Sequence, residues 1–356
     1  MTGRTAIVIG AGLGGLLCGR ILSRSGWQVT ILEQGGQAGG ALQTFVRDGI
    51  RFDTGFHTVG GLRPDEPLER IFRPLGLMDL PWIPMEPDEL VGCEEPFLRL
   101  SAFTEEEREH VLTPFRMSVW RLKGGGKTLV DALSEGQDIR LHKQVTAVED
   151  RTVTCADGSR YTADIVISDI HPKQLLRLLR DHVRPAWRAR IETRTDGPGI
   201  FSVNAKLRPG AIPHLNHSIF LWNELMVHFG ERAADGSARS LDLMAFETPS
   251  SDQIVMPGSD RASLAESLIL KAAARLPGLP EAIERYWTSS AKTWEHFTGT
   301  PGGTAYGIRK RGPEDYLTPR TPLPWLFLTG QNIGLHGVLG TSVSAINTCN
   351  AINDIL

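Results

Sequence analysis

Thr5-Ala6-Ile7-Val8-Ile9-Gly10-Ala11-Gly12-Leu13-Gly14-Gly15 decides the fold of this 356-residue chain. Its first five residues are mostly β-branched, as in a strand buried on both faces. After the glycines, Leu16, Leu17, Ile21 and Leu22 recur at helical spacing until Gly26, which stops the helix. Trp27 to Leu32 read as a second strand, and Glu33 stands at its end, 23 residues after Gly10. This strand–turn–helix–strand unit predicts a dinucleotide site. Gly10 permits the tight turn, Gly12 lets backbone approach a pyrophosphate at the helix N-terminus beside Leu13 and Gly14, and Gly15 lets helix pack on strand. Glu33 is placed to accept hydrogen bonds from ribose hydroxyls.

Past Glu33 and Gln34 comes a second glycine pair, Gly39-Gly40, then Ala41. A nicotinamide site does not need it. The run is similar to the extended FAD signature of glutathione-reductase-type flavoproteins, which implies FAD as cofactor, with this stretch against its phosphates and ribityl chain. At the far end, Trp325–Thr329 is a short buried-strand pattern, followed by Gly330, Gln331 and a glycine-rich run into a helix. In flavoproteins of this type such a segment holds the ribityl chain, here at Gly330 and Gln331. It also aims a helix N-terminus at the flavin C2 carbonyl, here the N–H groups of Leu339, Gly340 and Thr341.

Five blocks carry a more specific resemblance: the Gly10 loop through Thr44; Phe52–Gly61 (FDTGFHTVGG); Gly124–Leu129 (GGGKTL); Ala163–Pro172 (ADIVISDIHP); and Gly302–Gly307 (GGTAYG) with the C-terminal segment. The chain resembles the FAD-dependent family of phytoene desaturases, carotenoid cis–trans isomerases and retinol saturases, within the amine-oxidase-like superfamily. GFHTVGG and GGTAYG look closest to the isomerase and saturase branch. The resemblance implies that Val145 meets adenine through its main chain and that Ser168 closes a strand returning to the cofactor. Two positions depart from the pattern: the common Gly-Asp is Gly330-Gln331, and the arginine often found after the second glycine pair is replaced by Ala41-Leu42.

The predicted fold is α/β, a discontinuous Rossmann-like FAD-binding domain (1–75, 121–184 and 299–356) with an α+β substrate domain on an antiparallel sheet (76–120 and 185–298). Expected elements of the first are a helix at Thr128–Leu133 and a hairpin of Thr152–Ala156 with Arg160–Thr162. The second should hold strands at Gly199–Leu207, Ser218–Trp222 and Ser240–Phe246, and a helix at Ala262–Arg275 capped at Asp260.

Composition excludes several classes. With 38 basic and 41 acidic residues, a net charge of −3, there is no electrostatic footprint for nucleic acid. The apolar run Thr5–Gly19 is too short for a bilayer, which takes about 20 residues, so a soluble protein, at most in peripheral contact with a membrane, is expected. Cys18, Cys93, Cys155 and Cys349 lie far apart, which fits a reducing, cytoplasmic setting and no zinc ribbon. His214 and His217 have no acidic residue at metal-ligand spacing, so no metal is expected. The acidic run Glu105–Glu107 reads as a solvated helix start.

His57 is the first catalytic candidate, because the resemblance places its block beside the isoalloxazine and the substrate tunnel, and an imidazole moves protons near neutral pH. His336 and Tyr306 are the second and third. His171, before Pro172, reads as a structural strand end, and Trp222, Trp287 and Trp294 as core or tunnel lining. A polyene offers no handle for charged residues and FAD itself moves the hydride, so no Ser–His–Asp or paired-carboxylate constellation is expected. The resulting expectation is an FAD-dependent oxidoreductase acting on C=C or CH–CH bonds of a hydrophobic polyene or isoprenoid-like partner, as saturase, isomerase or desaturase. A flavin amine oxidase and a non-catalytic flavoprotein that binds a hydrophobic ligand or partner are the alternatives, and the sequence specifies no oligomeric state.

Overall fold

A computed structural model describes residues 3–91, 117–180, 182–221, 225–247 and 260–354. Thr5–Ile9 is the middle strand of a five-stranded parallel sheet, in the order Leu326–Leu328, Ile165–Ser168, Thr5–Ile9, Gln28–Leu32, Asp138–Arg140. Its strands are near-continuous apolar runs because both faces are covered. Ala6 and Val8 pack with Leu16, Leu17, Ala345 and Ile352, from helices Leu13–Arg24 and Gly337–Asn353. Ile7 and Ile9 turn the other way, onto Val148, Val153, Leu175 and Leu176 of the hairpin sheet and helix Pro172–Leu179. The first and last helices therefore lie on one face of one sheet, and Cys18 Sγ reaches Thr329 Oγ1 at 3.4 Å.

The second large sheet runs Ile283–Ser289, Gly199–Leu207, Ser240–Glu247, Leu225–Phe229, Ile219–Leu221, Glu89–Val91. All pairs are antiparallel except the last. Strand alternation gives it two faces. Phe201, Val203, Leu207, Leu225, Val227, Leu241, Leu243 and Ala245 bury against Leu264, Ala265, Leu268 and Ile269 of helix Arg261–Ala273. The opposite face carries Ile200, Met226 and Met244 together with His228, Asn204 and Asp242, and it looks toward the parallel sheet.

The expected strand Gly199–Leu207 forms over those residues, and Ser240–Phe246 runs one residue further, to Glu247. The helix expected from Thr128 spans Gly126–Ser134, and the one expected from Ala262 spans Arg261–Ala273, with Asp260 accepting from Ser263 N at 2.9 Å. The strand expected over 218–222 covers Ile219–Leu221; Trp222 lies outside the described residues, as do Cys93 and the acidic run from Glu105. Sequence reasoning missed Leu225–Phe229 and Ile283–Ser289. Their polar or aromatic inward positions blur the period-2 signal. Among the described residues no helix is long and apolar enough to cross a membrane.

Candidate functional site

Between the two sheets lies a cavity of about 530 Å³ with two chemically different ends. Its nucleotide end is lined by Gly10, Gly12, Leu13, Gly14, Glu33, Gln34, Gly39, Gly40, Ala41 and Val145. Gly12 caps helix Leu13–Arg24 with no side chain of its own. Asp169 sits in the mouth of that helix, and its carboxyl accepts the N–H groups of Gly12 and Gly15. A Cβ on Gly14 would stand 2.8 Å from Gly330 Cα, so only glycine fits there without moving backbone, and one on Gly12 would stand 2.6 Å from Asp169 Oδ2 and displace that carboxyl. Burial, with the Glu33 charge adding to it, pushes the Asp169 carboxyl up to about 7. Glu33 accepts from Ala11 N at 2.9 Å and Gly35 N at 2.7 Å, which ties the end of its strand to the turn of the first loop.

Three of the expected cofactor residues sit behind this wall. Ser168 is fully buried in register with Ile9 and Leu328, Gly15 packs on the Gly10 carbonyl, and Gly330 lies beside Asp169. At the C-terminal segment the helix starts at Gly337, which puts the N–H groups of Leu339 and Gly340 in its first turn. The cavity lining includes Gly337, Val338 and Thr341 but not Leu339 or Gly340, where a Cβ would run into Leu335. Gln331 lines the cavity, and its amide donates to Ala305 O at 3.2 Å. Beneath it Lys310 donates to Gln331 O at 2.6 Å, and burial pulls its ammonium down to about 8.

The other end is apolar, with Ile200, Phe220, Met226, Met244, Trp294 and Tyr306 in the wall. A polar row interrupts it. Asn204, Asp242 and His228 are direct cross-strand neighbours on one face of the sheet, and Ser218 continues the row with its hydroxyl 2.9 Å from His228 Nδ1. Asn204 donates to Asp242 Oδ1 at 2.6 Å. His57 comes down on this row from the loop between strands Ile50–Asp53 and Val59–Gly60. Its Nδ1 is 3.5 Å from Asp242 Oδ2, its ring stacks on His228, and its buried Nε2 has no hydrogen-bond partner. Both rings line the cavity. Burial lowers His57 to about 4 and His228 further below its ordinary value; burial also raises Asp242 to about 7, with the Asp53 charge adding to it. The sequence reading expected no Ser–His–Asp or paired-carboxylate constellation; the group seen here is a different one, an acid–imidazole pair of Asp242 and His57. Asn204, His228 and Asp242 were missed because each is a single polar residue at an inward position of a separate strand.

Tyr306 and His336, both candidates from the sequence, come together with ring centroids 4.5 Å apart. Tyr306 lines the cavity, and burial raises its phenol. His171 caps helix Pro172–Leu179 by accepting from Lys173 N, and its Nε2 lies 3.1 Å from Asp196 Oδ1. His217 does meet carboxylates in space, Glu86 at 3.5 Å and Glu89 at 3.7 Å, from a segment far away in sequence. Trp294 lines the cavity, whereas Trp287 packs edge-on against Phe52.

The family model for a flavin-containing amine oxidoreductase matches residues 92–353, and one for an NAD(P)-binding Rossmann-like domain matches residues 8–75. All-trans-retinol 13,14-reductase of Rattus norvegicus is 39% identical over 92 residues, 26% of this chain and 15% of that protein. Phytoene desaturase of Cercospora nicotianae is 45% identical over 51 residues, 14% of this chain and 8% of that protein. The chain thus matches only a small part of these relatives. Among solved structures, a cofactor-binding redesign of putrescine oxidase superposes with a TM-score of 0.72 at 17% identity, covering 99% of this chain and 98% of the other. A putative protoporphyrinogen oxidase from Exiguobacterium superposes at 0.64 and 15% identity over the full length of both chains. These two likenesses support the fold, a Rossmann-like parallel sheet joined to an antiparallel one. The chain is a flavin-type oxidoreductase and belongs to the flavin-containing amine oxidoreductase family.

Proposed function

We propose that the chain is an FAD-dependent oxidoreductase that reduces a carbon–carbon double bond of a conjugated, apolar substrate, in the manner of a polyene saturase. The observation that carries this reading is the division of polarity within the cavity. Its acidic lining residues among those described, Glu33 and Asp169, both stand at the nucleotide end. The far end offers apolar and aromatic side chains and two neutral imidazoles, with the Asp242 carboxyl behind His57 and not in the lining, which suits a polyene better than a substrate ammonium.

The residues present fit FAD. The helix mouth at Gly12 and Gly14, beside Asp169, would take the pyrophosphate, Glu33 and Val145 lie where the adenosine would, and Gly337 to Thr341 would present a second helix N-terminus to the flavin. When bound and reduced, FAD supplies the hydride. The chain's own residues hold the alkene against the Met226–Met244 wall, exclude water, and supply a proton from His57, whose Nε2 is unpaired.

The test is anaerobic. Chemically reduced protein is mixed with all-trans-retinol and its flavin absorbance followed. Reoxidation with loss of polyene absorbance is the expected result. A flavin that stays reduced, with hydrogen peroxide release from small amines in air, would replace this reading by amine oxidation.

A further inference from the structure

We infer that Asp242 is the proton store of this site and His57 the carrier that hands its proton to substrate, with Asn204 and His228 as positioning residues; this rests on the reductive reading above. The geometry is that of a two-ended shuttle. One nitrogen of His57 is 3.5 Å from the Asp242 carboxyl, and the other is buried without a partner in a ring that lines the cavity. Such separations are commonly long before substrate binds and tighten afterwards. Asn204 holds the second carboxyl oxygen at 2.6 Å, which fixes the carboxyl's orientation. His228 stacks on the His57 ring and is itself fixed by Ser218, so rotation of His57 about its side-chain bonds is blocked on that face.

The protonation states agree with the geometry. The ionisable groups interacting with Asp242 are His57, His228 and, at longer range, Asp53. Burial keeps both imidazoles neutral at pH 7 and raises the Asp242 carboxyl to about 7, so the carboxyl is the group of the three that holds a proton most readily. In the step, the His57 Nε2–H bond breaks and a C–H bond forms at one alkene carbon. The Asp242 O–H bond breaks as His57 Nδ1–H forms, which leaves a carboxylate and a neutral imidazole of the other tautomer. The second C–H bond and both electrons come from the reduced cofactor, which is oxidised as the alkene becomes CH–CH. Uptake of a proton from water and exchange of the His57 tautomer reset the pair.

Two measurements test this. The first needs no substrate: in the infrared spectrum of the flavin-bound protein, protonated-carboxyl absorbance should titrate near pH 7, lose one component in Asp242→Asn while those of Asp53 and Asp169 persist, and shift the midpoint of that component in His57→Phe. The second follows single-turnover reoxidation of the reduced protein by all-trans-retinol against pH. The wild-type rate should fall about tenfold per pH unit above 7, and Asp242→Asn should be slower by about a hundredfold or more with a flat profile and unchanged retinol binding. A wild-type carboxyl band insensitive to His57→Phe, or an Asp242→Asn rate and profile matching wild type, overturns the inference. If Asp242→Asn does not fold, the wild-type and His57→Phe titrations decide. Wild-type protein inert to retinol at every pH overturns the reductive reading and the store's role with it; the infrared arm then reports separately whether the two groups share a proton.

Discussion

The imidazole of His57 lies flat on that of His228, ring centroids 4.4 Å apart and planes 3° from parallel. Two stacked imidazoles cannot both be charged without repulsion, and burial already disfavours charge on either. Replacing His228 by Phe keeps a flat ring for His57 to rest on but removes the bond to Ser218. We expect a loss of about 1–3 kcal/mol in urea unfolding with flavin retained. His228→Ala should cost more, because the stacking surface goes as well; equal losses in the two variants would show that the stack contributes nothing.

Asp169 occupies the mouth of the helix that would receive the cofactor's phosphates. Its ionised form would face an anion, so cofactor affinity should weaken by up to about tenfold per pH unit as pH rises above 7, where the carboxyl loses its proton. Asp169→Asn should flatten this dependence and tighten binding at high pH. Flavin fluorescence on titration of the cofactor-stripped protein measures it, and parallel curves for the two proteins would dismiss the effect.

Three buried carboxyls, Asp53, Asp169 and Asp242, are each raised to about 7. The sign follows from proton counting. Between about pH 4 and pH 7 the folded chain holds protons that the unfolded chain has released, so these groups make stability fall as pH rises through that window and leave it level above. Asp242→Asn should make the decline shallower by up to about 1.4 kcal/mol per pH unit, read from urea unfolding at saturating flavin. Identical slopes in variant and wild type would count against a raised Asp242.

Gly14→Ala and Gly12→Val test the loop. Each places a side chain against Asp169 or the Gly330 backbone, so both variants should keep their circular dichroism and lose flavin. Normal retention in a folded variant would put the cofactor elsewhere.

Met226→Lys tests the substrate wall. Its strand neighbours Val227 and Leu225 face the helix and should be unaffected, so the fold should hold while the KM for an apolar substrate rises about tenfold or more. An unchanged KM would move the substrate away from this face.

The glycine loop was legible because every requirement it meets is local: a turn, a helix start and an acid at the end of the next strand all fall within 29 residues, from Thr5 to Glu33. Strand Gly199–Leu207 was legible for the same reason. The row Asn204–Asp242–His228 was not, since it exists only through the register of three strands whose pairing no local signal fixes. A trace was there: in Ser240–Glu247, Leu241, Leu243 and Ala245 alternate with Asp242, Met244 and Phe246, and a lone acid on the inward side of such a strand marks a polar spot in an apolar wall.

One wall of the cavity is made by Ile9 and another by Thr341, and strand Leu326–Leu328 joins a sheet whose central strand is Thr5–Ile9. In synthesis Ile9 therefore precedes Thr341 by 332 residues. Until Thr341 has left the ribosome the cavity lacks a wall, so a ligand held between these two segments is captured only after both have been made, and a product terminated between them has a glycine loop with nothing to close over it.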